Sequence, residues 1–113
     1  MKYWEIIHTT THNGFDIVIS KTWEDIHPKD FFDDSVDDVS EICNKIDLGL
    51  LDWFIVRFQA SKSGVVLGED YLGGLLYDNA QDFIKDSGGY LEDMLEQCTQ
   101  QAKKKLSEII ETV

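Results

Sequence analysis

The sequence predicts an α+β fold, in which two antiparallel β-hairpins form a four-stranded antiparallel sheet with helices on one face. Each half of the chain has a turn signal flanked by apolar and β-branched residues, followed by apolar residues at helical spacing. The 113 residues are enough to form a hydrophobic core without disulfides or metal. We therefore expect a single α+β domain over residues 1–113, with its elements in the order ββαββαα.

Residues 3–23 are predicted to form the first hairpin around Asn13-Gly14, because a type I′ turn needs a positive φ at both central residues. The cross-strand pairs set by a two-residue turn are Trp4 with Trp23, His8 with Ile19, and Thr10 with Ile17. The side chains expected to face the core are Trp4, Ile6, Ile17, Ile19 and Trp23. Those expected to face water are Glu5, Thr9, Thr11, Asp16 and Ser20.

A loop around Pro28 and then a helix over residues 36–46 are predicted between the hairpins. The loop residues expected to anchor it to the core are Ile26, Phe31 and Phe32. The residues at helical spacing are Val36, Val39, Cys43 and Ile46. Ser35, with Asp38 three residues later, has the pattern of a helix N-cap.

The second hairpin is predicted over residues 52–77, with its turn at Ser63-Gly64. This turn sets Arg57 opposite Asp70, as a cross-strand ion pair. Three glycines of the second strand indicate a β-bulge or close packing by a covering helix. They are Gly68, Gly73 and Gly74.

Two helices are expected after the second hairpin. Asn79 is the expected cap of a short helix that extends to about residue 86. A long helix is predicted over residues 90–112. Its apolar stripe consists of Leu91, Met94, Leu95, Cys98, Ala102, Leu106, Ile109 and Ile110.

Composition argues against several classes of function. A net charge of −12 repels nucleic acid, so direct binding to DNA or RNA is not expected. No apolar run reaches the length of a membrane span, and residues 1–14 lack the apolar core of a signal peptide. A cytoplasmic protein without membrane contact is therefore expected. Cys43 and Cys98 lie in apolar helical patterns, so we expect small buried side chains in a reducing compartment.

No catalytic, cofactor-binding or metal-binding motif is present in the sequence. Residues 30–41 lack the glycine and the spacing of acids that an EF-hand loop requires. His8 and His12 share a strand face but lie roughly 13 Å apart at the rise of a strand, too far to share a metal without a third element. We therefore expect neither an enzyme, a cofactor nor a metal site.

The acidic residues are concentrated in two parts of the chain. Residues 24–41 hold eight acids and one lysine, and residues 69–96 hold another eight acids and one lysine. A surface that serves solubility alone usually intersperses its charges, so a surface that binds a basic protein is one interpretation and a solvated acidic face is the other. The residues expected to bind such a protein are Asp30, Asp33, Asp34, Asp37, Asp38, Glu41, Asp78, Asp82, Asp86, Glu92, Asp93 and Glu96.

Two sets of these acids are expected to form rows, because residues four apart on a helix have β-carbons about 6 Å apart. The rows are Asp34, Asp38 and Glu41 on one helix, and Asp78, Asp82 and Asp86 on another. Carboxylates near that spacing can imitate the phosphates of a duplex and occupy a basic nucleic-acid channel. Attraction over a charged face also raises association rates.

In its size, acidity, predicted fold and lack of a catalytic motif, the chain resembles phage-encoded inhibitors of restriction or CRISPR nucleases. It is equally similar to immunity proteins that neutralise nuclease toxins. This is a likeness of composition over the whole chain, so no functional residue carries over. It implies an inhibitor that docks a DNA-mimicking face on the basic surface of a nucleic-acid-processing enzyme or complex. The alternative is a structural or scaffolding homodimer joined through the C-terminal helix, whose apolar stripe is wider than one sheet face needs.

Overall fold

The computed structural model describes residues 3–33, 38–86 and 90–111. Its strands are β1 (Glu5–His12), β2 (Phe15–Trp23), β3 (Asp52–Lys62) and β4 (Val65–Tyr77). Its helices are α1 (Pro28–Phe31), α2 (Val39–Asp47), α3 (Ala80–Asp86) and α4 (Tyr90–Glu111). The strands pair antiparallel in the order β1-β2-β3-β4. The predicted α+β fold class is confirmed, with the four-residue α1 as an additional element.

Both hairpins turn where the sequence predicts. Asn13 and Gly14 have φ values of 51° and 85°, and Ser63 and Gly64 have φ values of 53° and 80°. Positive φ at both central residues is the geometry of a type I′ turn, which matches the twist of the flanking strands. The predicted pairs of His8 with Ile19 and of Thr10 with Ile17 are confirmed.

The predicted faces of the first hairpin are wrong at its open end. The register shifts between Ile6 and His8, so Ile7 packs against the core while Ile6 is 63% exposed. Because a bulge adds one residue to one strand, it inverts the alternation beyond it. The expected pair of Trp4 with Trp23 does not form, and Trp23, the last residue of β2, is 53% exposed.

Ser20 was expected in water but is only 1% exposed. It pairs with Arg57 of β3, whose guanidinium carbon lies 4.3 Å from the centroid of the Trp4 ring. Trp4 thus lies over the sheet on the side opposite the main core. Trp4 and Arg57 cover side chains on this second side of the sheet, which explains why Ser20 is buried there.

The main core lies between the sheet and the two C-terminal helices. The strands contribute Phe15, Ile17, Ile19, Phe54, Val56, Phe58 and Ala60, and the helices contribute Ala80, Phe83, Met94, Leu95, Cys98 and Ala102. Gly68 of β4 allows α4 to pack closely, because a Cβ at this position would lie 2.3 Å from the carbonyl oxygen of Cys98. The predicted close packing of a helix on a glycine is confirmed at this position.

The second hairpin contains two irregularities. One register shift lies between Phe54 and Val56, opposite Gly74 with its φ of 67°, and the other lies between Ala60 and Ser61. The second shift changes the partner of the only arginine in the sequence. Arg57 pairs with Tyr71 instead of Asp70, so the predicted ion pair of Arg57 with Asp70 is wrong.

The segment around α1 packs against Trp53, whose side chain lies on the side of β3 opposite Phe54. The indole Nε1 of Trp53 donates a hydrogen bond to the Ile26 carbonyl at 2.8 Å. The ring centroids of Phe31 and Phe32 lie 5.3 and 5.4 Å from that of Trp53. Phe32 therefore anchors this segment, as predicted, whereas the side chains of Ile26 and Phe31 are half exposed.

The helix after this segment starts later than predicted. The α2 helix begins at Val39, and the Asp38 side chain accepts a hydrogen bond from the Glu41 amide at 3.1 Å. The cap is therefore Asp38 in place of Ser35, and Ser35 and Val36 lie outside the described residues. The predicted cap of α3 is confirmed, since the Asn79 side chain accepts from the Asp82 amide at 3.2 Å.

Candidate protein-binding surface

The first acidic segment, which we define as residues 30–41, presents its described carboxylates to solvent. Asp30, Asp33, Asp38 and Glu41 are all exposed. Asp38 has a structural role as the cap of α2, and the Glu41 carboxylate lies 3.2 Å from the Lys45 ammonium one helical turn later. An exposed pair of this kind is worth only about 0.3–0.5 kcal/mol and leaves Glu41 accessible to a partner.

The predicted row of Asp34, Asp38 and Glu41 does not form along a helix. Asp38 precedes the first residue of α2, so only Glu41 of the three lies within that helix. Asp34 and Asp37 lie outside the described residues. The described acids of this segment are thus an exposed group around a helix start.

The second acidic segment, which we define as residues 78–96, spans α3 and the first two turns of α4. Asp78 is exposed but precedes α3, so it does not extend a helical row. Asp82 is half-buried in the first turn of α3, and Asp86 ends that helix, with its side chain outside the described part. Glu92 and Asp93 are exposed in the first turn of α4, where carboxylates interact favourably with the helix dipole.

Glu96 differs from the other acids because it joins α4 to the first hairpin. Its Oε2 atom lies 3.3 Å from His12 Nε2 and accepts a hydrogen bond from the Asn13 side chain at 3.3 Å. Its Oε1 atom accepts from the Gln100 side chain at 3.1 Å. The hydrogen bond from Gln100, followed by that of His12, lowers the pKa of the Glu96 carboxyl. This contact joins residues 84 positions apart and has no local signal in the sequence.

Several exposed acids have no cation beside them in the part of the chain that the structure describes. Asp30, Glu92 and Asp93 form no ion pair there. Two lysines pair with other acids: Lys21 lies 2.6 Å from Asp52, and Lys45 lies 3.2 Å from Glu41. The negative charge of these positions is consequently presented to solvent without compensation.

A group of aromatic and charged residues on the second side of the sheet was not predicted. Arg57 lies under Trp4, and the Trp4 and Tyr71 ring centroids are 6.0 Å apart. The Tyr71 hydroxyl donates to a Glu69 carboxylate oxygen at 2.7 Å, and this hydrogen bond to Glu69 is the main cause of the raised pKa of Tyr71. The sequence signal that could have revealed this group is the pairing of β3 with β4, once the bulge is placed.

Burial makes one of the two cysteines unreactive, and the described cysteines and histidines form no metal-binding group. Burial raises the pKa of the Cys98 thiol to about 11, so this thiol stays protonated at neutral pH and is a poor nucleophile. Cys43 is free and half-buried. Among residues 3–33, 38–86 and 90–111, no three His, Cys, Asp or Glu side chains come close enough to hold a metal ion.

Comparison with protein-family models, with curated proteins and with solved structures gave no match. Within the described ranges, no helix is both long and apolar enough to cross a membrane. The charge, exposure and hydrogen bonding of the residues described above are therefore the basis for a proposed function.

Proposed function

We propose that the protein is a small acidic inhibitor, which docks exposed carboxylates onto the basic, nucleic-acid-binding surface of another protein. The observation that carries this proposal is the uncompensated charge of Asp30, Glu92 and Asp93. Asp30 in α1 and the pair Glu92 and Asp93 in α4 lie on opposite sides of the sheet, so each acidic segment is a separate candidate surface, and the net charge of −12 attracts cationic partners to both. A nucleic-acid-processing enzyme is the partner class that such a surface fits best.

Electrostatic attraction affects the association rate first. Charge complementarity steers two proteins together and raises the association rate constant by about one to three orders of magnitude at low salt. Exposed carboxylates keep their hydration until contact, so no free energy of desolvation is lost during the approach. A basic channel that binds phosphates has arginine and lysine side chains that can pair with them. Occupation of that channel would exclude the nucleic acid by direct competition.

The test begins with capture of the partner. Immobilised protein is incubated with a bacterial lysate at about 50 mM and at about 500 mM salt, because screening removes electrostatic binding at high salt. A protein captured only at low salt is identified, purified and bound to a fluorescent DNA duplex. We expect addition of the acidic protein to release the duplex, measured as a fall in fluorescence anisotropy.

Charge-neutral variants show which acids make the contact. The variants D30N/E41Q and E92Q/D93N each remove two charges from one acidic segment. The matched control E69Q/E108Q removes two exposed charges outside the predicted protein-binding residues. We expect one or both test variants to associate about threefold to tenfold more slowly at low salt, with rates that converge at high salt.

Three results would contradict the proposal: no partner captured at low salt, a captured partner that still binds the duplex, or equal slowing by the control variant. The last result would mean that net charge acts without a defined docking surface. The first result would mean that the acidity serves solubility, and the second would mean that the acidic protein binds its partner outside the nucleic-acid site.

A homodimer joined through α4 is the second candidate. Leu106 packs against the core, but Ile110, one turn later, is 65% exposed. An exposed aliphatic residue at the end of an amphipathic helix can contact a second copy. Because each copy carries −12, this dimer should strengthen with salt. A monomeric mass in light scattering at high protein concentration and moderate salt would refute it.

A further inference from the structure

The two outer strands of the sheet differ in how many of their outward-facing backbone groups have hydrogen-bond partners. Three amides of β4 donate hydrogen bonds to side-chain oxygens of the same chain. These are Glu69 N to Gln101 Oε1 at 3.3 Å, Tyr71 N to Asp70 Oδ1 at 3.0 Å, and Gly74 N to Glu24 Oε2 at 3.1 Å. An edge strand whose amides are occupied by side chains is a poor template for another strand.

The β1 edge is closed at one point only in the described part of the chain. The Gln81 side chain of α3 donates to the Ile7 carbonyl at 2.8 Å. Beyond it, the register fixes which backbone groups point outward. The pair next to a two-residue turn, His12 with Phe15, is hydrogen-bonded, so the alternation of an antiparallel ladder directs the amides and carbonyls of Thr9 and Thr11 away from β2.

These outward groups have few partners within the described ranges. No backbone amide or carbonyl bonds to them, and the one contact is a long 3.5 Å hydrogen bond from the Thr10 hydroxyl to the Thr11 carbonyl. Thr9 and Thr11 are exposed, and threonine has a high strand propensity. Residues 9–11 therefore form an accessible template of about four backbone hydrogen-bonding groups.

Carboxylates border this template on both faces of the sheet. On the face covered by α4, Glu96 is bonded to His12 at the end of β1, and the exposed Glu92 lies one helical turn earlier on the same side of α4. On the opposite face, Asp16 of β2 is exposed and pairs with Thr11. Lysine or arginine side chains of a strand added here could extend toward Glu92 on one face and, across Thr11, toward Asp16 about 10 Å away on the other.

We propose that residues 9–11 of β1 receive an extended basic segment of the partner as a fifth strand. The positive charge of that partner rests on the function proposed above. Main-chain hydrogen bonds to Thr9 and Thr11 supply affinity, and lysine or arginine side chains at consecutive positions extend toward Glu92 on one face and Asp16 on the other. This is strand addition with charge selectivity, which a partner lacking an extended basic segment cannot match.

The probe is a synthetic peptide of seven residues, with lysine at its three central positions and valine on either side, blocked at both ends. Neighbouring lysines of an extended strand point to opposite faces, so this peptide presents positive charge on both faces. We expect it to shift the backbone amide resonances of Thr9 and Thr11 in ¹⁵N-labelled protein and to slow their exchange with solvent. Its N-methylated analogue lacks the donors that face β1 but keeps its charge. That analogue should bind at least about tenfold more weakly, which is the loss expected for one or two backbone hydrogen bonds.

Two variants of the protein test the same hydrogen bonds by changing the protein instead of the peptide. Thr9→Pro removes the outward amide without removing a bond to β2, and prolines are tolerated on edge strands. Thr9→Val keeps that amide and serves as the matched control. We expect weaker peptide binding in Thr9→Pro only, with circular dichroism used to confirm that both variants are folded. If Thr9→Pro does not fold, the N-methylated peptide decides the question with the unmodified protein.

Equal binding of the two peptides would overturn the proposed strand addition. So would peptide-induced shifts confined to the first acidic segment, with the Thr9 and Thr11 amides unchanged. Neither result affects the proposed function, because capture of a partner and release of its duplex do not depend on residues 9–11. Conversely, a partner that is captured equally by Thr9→Pro and by Thr9→Val supports acidic docking and contradicts strand addition.

Discussion

The position of α4 on the sheet depends on the absence of a side chain at Gly68, and Gly68→Ala should reveal this dependence. A Cβ at this position would lie 2.3 Å from the Cys98 carbonyl oxygen and 3.0 Å from the Ala102 amide nitrogen. Both atoms belong to the backbone of a helix, so neither can rotate away. Restoring an ordinary contact requires α4 to move by about 1 Å from β4.

The cost of that displacement follows from the packing of α4. Its buried side chains include Met94, Leu95, Cys98 and Ala102, and together they make roughly 100 contacts of about 0.15 kcal/mol each. A gap of this size forfeits about a quarter of the contact energy, or about 4 kcal/mol. Because neighbouring side chains relax, we expect a net loss of about 2–3 kcal/mol in the free energy of unfolding.

Urea unfolding, followed by tryptophan fluorescence and by circular dichroism, measures this loss. Gly73→Ala is the matched control, since its Cβ would meet the Glu24 carboxylate oxygen at 2.9 Å, and that flexible side chain can move. We expect the control to lose less than about 1 kcal/mol. A Gly68→Ala variant within about 0.5 kcal/mol of the unsubstituted protein, or a Gly73→Ala variant that loses as much stability as Gly68→Ala, would contradict this role of Gly68.

Two further predictions concern single side chains. Asp38→Ala should reduce the free energy of unfolding by about 1 kcal/mol because Asp38 caps α2. Ser35→Ala should reduce it by less. If chemical denaturation shows the larger loss for Ser35→Ala, the assigned cap is wrong. The pKa of Glu96 is lowered in the folded state, so its contribution to stability is present above the ordinary carboxyl pKa of 4.5 and is lost as pH falls through the folded-state value. In thermal unfolding near neutral pH, Glu96→Gln should therefore be less stable than the unsubstituted protein. This difference should shrink as the pH falls, and a difference that does not depend on pH would contradict this role of Glu96.

The parts of the fold that could be predicted are those with local causes. Asn13-Gly14 sets its turn through the backbone preferences of two adjacent residues, and the register nearest that turn follows from it. The bulge between Ile6 and His8 has no such signal. Ile6 and Ile7 are both apolar, so either can face the core, and tertiary packing selects Ile7.

The cap of α2 could have been assigned correctly from the sequence. Asp38 with Glu41 repeats the spacing of Ser35 with Asp38, so two overlapping cap patterns compete within seven residues. The structure uses the second pattern. The contact of Glu96 with His12 could not have been found in this way, because it depends on where α4 crosses the first hairpin.

The location of the main core has a consequence for the order in which the chain can fold. The four strands are neighbours in sequence and can pair as they emerge from the ribosome, but α4 follows all of them. Until α4 has been synthesised, the faces of Phe58 and Val56 that it covers remain exposed to water. Nascent chains that stop before α4 should consequently bind chaperones or aggregate, and completion of the last helix should be the step that releases them.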